Sequence, residues 1–221
     1  MAVTSPISHR RTVAALMLLT FATGVIDAVS VLVLGRVFVA NMTGNAIFLG
    51  FLFVPRGAID LAGAAVAVTG FVAGAIIGGR LVRRLGRRPR VWVTAALGTE
   101  VALLLVVAAL AGAGVLRYYG ATKLVLIVGL ALAFGLQNST ARQFGIQELY
   151  TTVLTSTIVG IGVDSRLAGG TGRREKLRYG VVFVMILGAV VGATLSRVVV
   201  APVIALAAAL VAVSLLLFRF G

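Results

Sequence analysis

The sequence lacks cysteine, has one histidine (His9) and has only six acidic residues. The absence of cysteine excludes disulfides, haem-thiolate ligation and iron–sulfur clusters, and a single histidine argues against a transition-metal site. No basic stretch is interleaved with aromatic residues, which argues against a nucleic-acid partner. We therefore expect no metal, no other cofactor and no nucleic-acid binding.

Apolar residues dominate what is present. They make up 60% of the chain, charged residues make up 12%, and the mean hydropathy is +1.12. So few charges cannot cover the surface of a soluble domain, so the composition indicates a polytopic membrane protein whose main partner is the lipid bilayer. The 20 Lys and Arg residues lie mainly in short loops, where they indicate topology and contact with anionic lipids.

Eight apolar segments follow one another along the chain. They are Thr12 to Leu34, Val37 to Phe53, Ala58 to Val82, Val91 to Leu116, Ala121 to Ala141, Leu149 to Val163, Leu177 to Ser196 and Ala201 to Phe218. A spanning helix needs roughly 20 residues, and the second and sixth segments are shorter than that. The pattern predicts an all-α membrane protein with six transmembrane helices and two short re-entrant or broken helical segments.

The distribution of positive charge favours six crossings over eight. If the two short segments enter and leave on one side, all but five of the 20 basic residues share the side of both termini; the five are Arg36, Arg56, Arg117, Lys123 and Arg197. Eight crossings would leave almost no bias. By the positive-inside rule we expect both termini in the cytoplasm and the protein in a bacterial inner membrane.

The two halves of the chain resemble each other. Phe21 to Ala28 aligns with Leu132 to Ser139, Met42 to Asn45 with Leu154 to Thr157, and Phe71 to Leu81 with Met185 to Leu195. Each half holds three crossings, an odd number, so its orientation reverses. The alignment predicts one membrane domain over residues 1–221, built from two inverted repeats at 12–116 and 121–218, an architecture typical of transporters.

Polar residues within these apolar segments are the candidates for solute contact, because an unpaired polar group at membrane depth costs roughly 2–7 kcal/mol. The predicted solute-binding residues are Asp27, Asn41, Thr43, Asn45, Gln137, Asn138, Thr155 and Thr157. Glu100 is a candidate proton relay, and Arg142 and Glu148 are candidate gate residues. The alternatives are that Asp27 pairs with Arg36, and that the amides only join neighbouring helices.

Four blocks of the sequence carry a resemblance to a known family. They are Gly24 to Ser30, Phe38 to Asn45, Gly135 to Thr140 and Thr151 to Thr155. They look like the motifs of the YoaK-type family of bacterial inner-membrane proteins, which carry the domain of unknown function 1275. The resemblance implies an integral membrane protein with about six helices and no established substrate, so it supports the architecture without supplying chemistry.

We therefore expect a non-enzymatic transporter or channel for a small polar or cationic solute, with proton coupling as one mode. Two alternatives remain open: a structural or assembly subunit that transports nothing, and a membrane-embedded enzyme that uses Asp27 or Glu100. A ridge of small residues, Gly63, Ala67, Gly70, Gly74 and Gly78, lets helices approach closely within the protomer or across a homodimer.

Overall fold

A computed structural model of the chain describes residues 5–53, 59–146, 154–172 and 174–220. Its α-helices are α1 His9–Val33, α2 Met42–Gly50, α3 Leu61–Leu85, α4 Pro89–Gly112, α5 Ala121–Ala141, α6 Leu154–Val163, α7 Glu175–Leu195 and α8 Ala201–Phe220. Six of them have the length and composition of membrane-spanning helices, whereas α2 and α6 are too short. The predicted fold class, with six spanning helices and two short segments, is confirmed.

Local sequence explains where several of these helices begin and end. Ser8 and Asp60 accept hydrogen bonds from backbone N–H groups in the first turns of α1 and α3, and Pro89 starts α4, where its missing N–H costs nothing. After α1 the chain turns through Gly35 and Arg36, both with positive φ. Gly35 also lies against Asp60 and Lys123, so a side chain there would meet both steric and conformational strain.

Helices α1 and α7 run parallel and touch through glycines. A Cβ on Gly24 would overlap the carbonyl oxygen of Met185, and a Cβ on Gly188 would overlap that of Phe21. One turn further along, Gly192 lies in the same way against Val25. These helices therefore approach to backbone contact, as small residues allow in membrane proteins.

Helices α3 and α5 meet in the same manner. Gly74 lies against the carbonyl of Leu132, and Gly135 lies against that of Phe71. The predicted small-residue ridge of α3 is buried, and its Gly70, Gly74 and Gly78 face α5. The ridge is therefore occupied within the protomer, and a homodimer stays a prediction that the ridge no longer supports.

The two glycine crossings match residue for residue. Phe21 and Gly24 of α1 correspond to Leu132 and Gly135 of α5 at an offset of 111, and Phe71 and Gly74 of α3 correspond to Met185 and Gly188 of α7 at an offset of 114. Other contacts between helices follow the same correspondence between the halves. The contact of α1 with α8 corresponds to that of α5 with α4, and the contact of α2 with α3 corresponds to that of α6 with α7. Two repeats would produce this pattern, and their inverted relation stays a prediction.

The chain around α2 leaves and returns at one end of the bundle. The backbone N–H of Asp60 donates to the carbonyl of Gly35 at 3.3 Å, and the carboxylate of Asp60 lies 2.6 Å from Lys123 Nζ. Because residues 35 and 60 are hydrogen-bonded to each other, the segment between them begins and ends at the same end of the bundle.

Both ends of the described chain lie at the other end of the bundle. We call it the arginine end, after Arg80, Arg83, Arg84, Arg87, Arg88 and Arg90. Ser5 lines a cleft with Arg88 there, and Arg219 lines the adjoining cleft with Arg90. Helix α5 also ends there, since Phe144 lies between the rings of Trp92 and Phe218. Helix α7, parallel to α1, begins there, so α6 belongs to an excursion that starts and ends at the arginine end.

Candidate functional site

Asp27 is buried in α1 and its carboxylate is fully used by the chain that precedes α2. The backbone N–H groups of Val39 and Ala40 donate to Oδ1 at 2.9 Å each. Asn41 donates to Oδ2 twice, from its backbone N–H at 3.2 Å and from Nδ2 at 2.5 Å. Two oxygens that accept four hydrogen bonds have no good acceptor position left. Asp27 therefore anchors the irregular segment ahead of α2 and does not pair with Arg36.

One face of α1 carries four polar side chains and is buried. Thr20, Thr23 and Ser30 are at most 1% exposed and Asp27 is 5% exposed. The hydroxyls of Thr20 and Thr23 donate to the carbonyls of Leu16 and Leu19, one turn earlier. Spacings of three and four residues place the four side chains on one side of the helix, and this side faces the protein interior.

Asn45 closes the same segment from the α2 side. Its Oδ1 accepts from the backbone N–H of Phe38 at 2.9 Å, and its Nδ2 donates to the carbonyl of Phe38 at 2.6 Å. Asn45 is fully buried, whereas Thr43 on the same helix is exposed. We call Asp27, Phe38 to Asn41 and Asn45 the knot, because each described polar side chain in it bonds to another part of it.

The second half repeats one feature of the knot. Thr157 is the buried residue of α6, as Asn45 is of α2, and the two are equivalent at an offset of 112. Thr155 is exposed like its counterpart Thr43. Asn138 is half-buried and donates to the carbonyl of Phe134 at 2.9 Å. Each short helix therefore presents one polar side chain to the interior.

Gln137 makes a buried polar contact between the two halves. Its Nε2 donates to Thr23 Oγ1 at 2.9 Å and reaches the carbonyl of Leu19 at 3.5 Å. Its Oε1 is buried and has no hydrogen-bond partner among the described residues. Asp27 and Asn138 are equivalent at an offset of 111, but it is Gln137, the neighbour of Asn138, that reaches α1.

Glu100 lies in the middle of α4 and is 0% exposed. Within the part of the chain that the structure describes, neither of its carboxyl oxygens has a hydrogen-bond partner. The hydroxyl of Ser214 on α8 is likewise buried and unpartnered among these residues. An unpartnered acid at this depth is a functional-site candidate on physical grounds alone.

Helix register brings Glu100, Ser214 and Gln137 to one level. Gly112 faces Ala201 at one end of the α4–α8 pair, and Phe144 links Trp92 to Phe218 at the other, so the two helices are antiparallel. At about 1.5 Å per residue, Ser214 lies within about one turn of the level of Glu100.

The register of α5 against α4 places Gln137 in the same way. Gly129 of α5 lies against Val107 of α4, and counting along the two antiparallel helices from that contact brings Gln137 and Glu100 to nearly equal depth. We call Glu100, Gln137 and Ser214 the core cluster, a name for the depth they share and for their unpartnered polar atoms rather than for contact between them. Ser214 is not among the residues predicted from the sequence. It is the one hydroxyl residue in α8, whose other residues except Arg219 are apolar, and that isolation was the available signal.

Two ion pairs that the sequence did not predict lie at opposite ends of the bundle. At the arginine end Arg178 pairs with Asp164 at 2.5 Å and donates to the carbonyl of Gly160 at 2.6 Å. At the opposite end Asp60 pairs with Lys123. Burial by itself raises the pKa of Asp60, but the hydrogen bond and charge of Lys123, with the N–H groups of Gly63 and Ala62, outweigh it and lower that pKa below its ordinary value of 3.8.

The predicted gate is described only in part. Arg142 is exposed just after α5, and Glu148 lies outside the described residues, so the gate stays a prediction. Within the described ranges, no three His, Asp or Glu side chains gather into a group that could hold a metal ion.

The knot and the core cluster differ in the chemistry open to them. In the knot, the carboxylate oxygens of Asp27 and the amide oxygen of Asn45 already accept hydrogen bonds from other residues of the knot. The core cluster keeps three buried acceptor oxygens and a hydroxyl, which a proton, an ammonium group, a cation or a hydroxylated solute could satisfy.

Comparison with known proteins places the chain in a family. Residues 15–217 match the family model described as protein of unknown function DUF1275. The chain is 33% identical over 162 residues to the UPF0700 transmembrane protein YoaK of Bacillus subtilis (strain 168). The aligned stretch covers 71% of this chain and 68% of that protein. No solved structure matches the chain. The chain is therefore a member of the DUF1275 family of transmembrane proteins.

Proposed function

We propose that this protein moves a small polar or cationic solute across a bacterial inner membrane and has no enzymatic activity. The observation that carries the proposal is the pair of short helices, α2 and α6. The excursion that contains α6 starts and ends at the arginine end, and the excursion that contains α2 starts and ends at the opposite end. Irregular backbone at membrane depth is tolerated only where protein buries it or where it lines a cavity. Paired broken segments in matching halves are characteristic of transporters.

The orientation follows from charge. We place the arginine end in the cytoplasm, because all but five of the 20 basic residues belong to it or to the loops on its side. Both termini are then cytoplasmic. The α2 excursion opens outward and the α6 excursion opens inward, as alternating access between two inverted repeats requires.

Within this scheme the core cluster is the solute or proton site, and the knot is its support. At mid-depth, the oxygens of Glu100 and Gln137 and the hydroxyl of Ser214 have no hydrogen-bond partner among the described residues, while Asp27 and Asn45 hold the backbone of the α2 excursion. Asn41, Thr43, Asn138, Thr155 and Thr157 lie on or beside the excursions, where a solute would pass on its way to the cluster. An acceptor-rich site suits a cation, a proton or a proton-donating solute better than an anion.

A ligand screen with purified protein tests this function. A ligand at 100 times its dissociation constant stabilises the folded state by about 2.7 kcal/mol, which a thermal-shift assay resolves. The panel would cover inorganic cations, amines, sugars, amino acids, nucleobases and organic acids. Each hit is then tested for flux into vesicles that contain the protein. We expect one class to stabilise the protein and to cross; silence across the panel and in flux would overturn the proposal.

A second candidate is a structural or assembly subunit with no solute. The observation that favours it is the knot, whose polar atoms are paired internally and need no ligand. On this view, substitutions in the core cluster leave every flux at the background of empty vesicles, and substitutions in the knot change only stability and complex formation. Protein-dependent flux would exclude it.

An enzyme is the least favoured candidate. A membrane hydrolase or transferase usually presents at least two converging acid, base or nucleophilic groups. Asp27 is occupied by the knot, and Glu100 shares its level with an amide and a hydroxyl. We propose that these two carboxyl groups serve structure and transport.

A further inference from the structure

Two adjoining clefts open at the arginine end, outside the core cluster and the knot. The first, of about 430 Å³, is lined by Ser5, Pro6, Arg88, Pro89, Arg90 and Val91. The second, of about 510 Å³, is lined by Arg90, Val91, Thr94, Ala95 and Arg219. Because Arg90 and Val91 line both, the clefts form one continuous surface, which we call the arginine cleft.

The rim of the arginine cleft, at the start of α4 and the end of α8, is cationic. Arg90 comes from the first turn of α4 and Arg219 from the last turn of α8, and both side chains are exposed. The sequence has no acidic residue between Asp60 and Glu100 and none after Glu175, so neither wall carries a compensating carboxylate. Guanidinium groups bind phosphate oxygens through paired hydrogen bonds, and two of them on one cleft suit a phosphate group.

The part of the arginine cleft that lies further along α4 is largely apolar. Val91 and Ala95 are four residues apart and so lie on one face of α4, which leads from the charged rim toward the middle of the bundle. Val91, which lines both clefts, is 49% exposed. A soluble anion would leave this apolar surface uncovered, whereas an acyl chain would cover it.

We propose that the arginine cleft binds an anionic phospholipid, with its phosphate between Arg90 and Arg219 and one acyl chain along Val91, Thr94 and Ala95. Basic pockets between transmembrane helices on the cytoplasmic side are known to bind anionic lipid head groups. The site is independent of the transported solute, and it ties the cytoplasmic ends of α4 and α8 to the membrane.

Lipid binding by the delipidated protein tests the proposal. Native mass spectrometry would measure retention of phosphatidylglycerol and of phosphatidylcholine by wild type and by the double variant Arg90→Gln/Arg219→Gln. Each arginine near an anionic lipid contributes ~1 kcal/mol, so the double variant should bind phosphatidylglycerol about 30-fold more weakly. Phosphatidylcholine binding should be unchanged.

A matched control removes the same charge at the opposite end. Arg117→Gln/Arg197→Gln should keep wild-type binding of phosphatidylglycerol. An equal loss in both double variants would mean that net charge alone attracts the lipid, and no loss in either would mean that no site exists. Both results overturn the proposal.

A third variant tests the acyl-chain half of the site. Ala95→Trp fills the apolar part of the cleft without changing the charge. We expect it to weaken phosphatidylglycerol binding and to leave binding of inorganic phosphate unchanged. Displacement of phosphatidylglycerol from wild type by inorganic phosphate at equal concentration would show a soluble-anion site and overturn the lipid assignment.

Discussion

The knot and the core cluster are both buried, both polar and both set in apolar helices, yet their polar atoms meet opposite conditions. In the knot, Asp27 accepts four hydrogen bonds and Asn45 pairs with the backbone of Phe38 on both sides. In the core cluster, the oxygens of Glu100 and Gln137 and the hydroxyl of Ser214 find no partner among the described residues. Burial alone therefore does not identify a binding site.

The comparison separates two uses of a buried polar group. A group whose hydrogen bonds are complete stabilises the chain path that supplies its partners, and removing it leaves those partners unpaired. A group whose hydrogen bonds are incomplete costs stability, and the protein recovers that cost only when a proton or a ligand completes them. Stability and transport should therefore respond in opposite ways to substitution in the two regions.

The largest loss of stability is expected for Asp27→Ala. The substitution leaves three backbone N–H groups and the Asn41 side-chain amide without an acceptor, and each unpaired buried donor costs about 1–3 kcal/mol. We expect a total loss of about 3–5 kcal/mol, seen as a fall in Tm and in the yield of monodisperse protein. Thr43→Ala, at an exposed position of α2, is the control and should leave Tm and yield unchanged. A wild-type Tm for Asp27→Ala would remove the knot's structural role.

A smaller loss is expected for Asn45→Ala. This change leaves the N–H and the carbonyl of Phe38 unpaired and should destabilise the protein by about 1–3 kcal/mol. Thermal unfolding in detergent measures the effect, and Thr155→Ala, an exposed position of the other short helix, is the control. If Asn45→Ala changed flux while Tm stayed constant, Asn45 would belong to the site and the comparison would fail.

The Asp60–Lys123 pair should give a modest pH dependence. The lowered pKa of Asp60 means that its contribution is fully present above the ordinary value of 3.8 and is lost as pH falls through the lower folded pKa. Because the pair is partly solvated, we expect about 1 kcal/mol. Unfolding between pH 6 and pH 3, for wild type and Asp60→Asn, checks this. The two Tm curves should converge at low pH, and parallel curves would contradict the assignment.

The smallest effect, and one of opposite sign, is expected for Ser214→Ala. The variant removes a buried hydroxyl that has no partner among the described residues, so its stability should be unchanged or higher by up to about 1 kcal/mol. Ser30→Ala, which removes a buried hydroxyl that donates to the carbonyl of Asp27, is the matched control and should be destabilised. A clear loss of stability in Ser214→Ala would show that Ser214 has completed its hydrogen bonds.

Much of the architecture could be predicted because it depends on local sequence. Segment length separates α2 and α6 from the six long helices, spacing places Thr20 and Asp27 on one face, and small residues mark the α3–α5 contact. These features need only periodicity, hydropathy and side-chain volume.

The division between knot and core cluster could not be predicted, because it depends on distant parts of the chain. Asp27 looks like a ligand-binding acid until the path of residues 38–41 brings their N–H groups to it. Ser214 shares the level of Glu100 only through the register of α4 and α8, although the two residues are more than a hundred positions apart in sequence. The partner of Asp60 is likewise set by the packing of α5 beside α3.

The most direct test of the central claim is flux through Glu100→Gln. The substitution keeps the shape of an uncharged carboxyl side chain and removes its ability to release a proton. Vesicles containing wild type, Glu100→Gln or Thr99→Ala, a change at the exposed neighbour of Glu100 on α4, would be compared for uptake of the solute class that stabilises wild type. We predict that Glu100→Gln keeps the wild-type Tm and loses uptake, while Thr99→Ala keeps both. Wild-type uptake by folded Glu100→Gln would contradict the claim that the core cluster is the site.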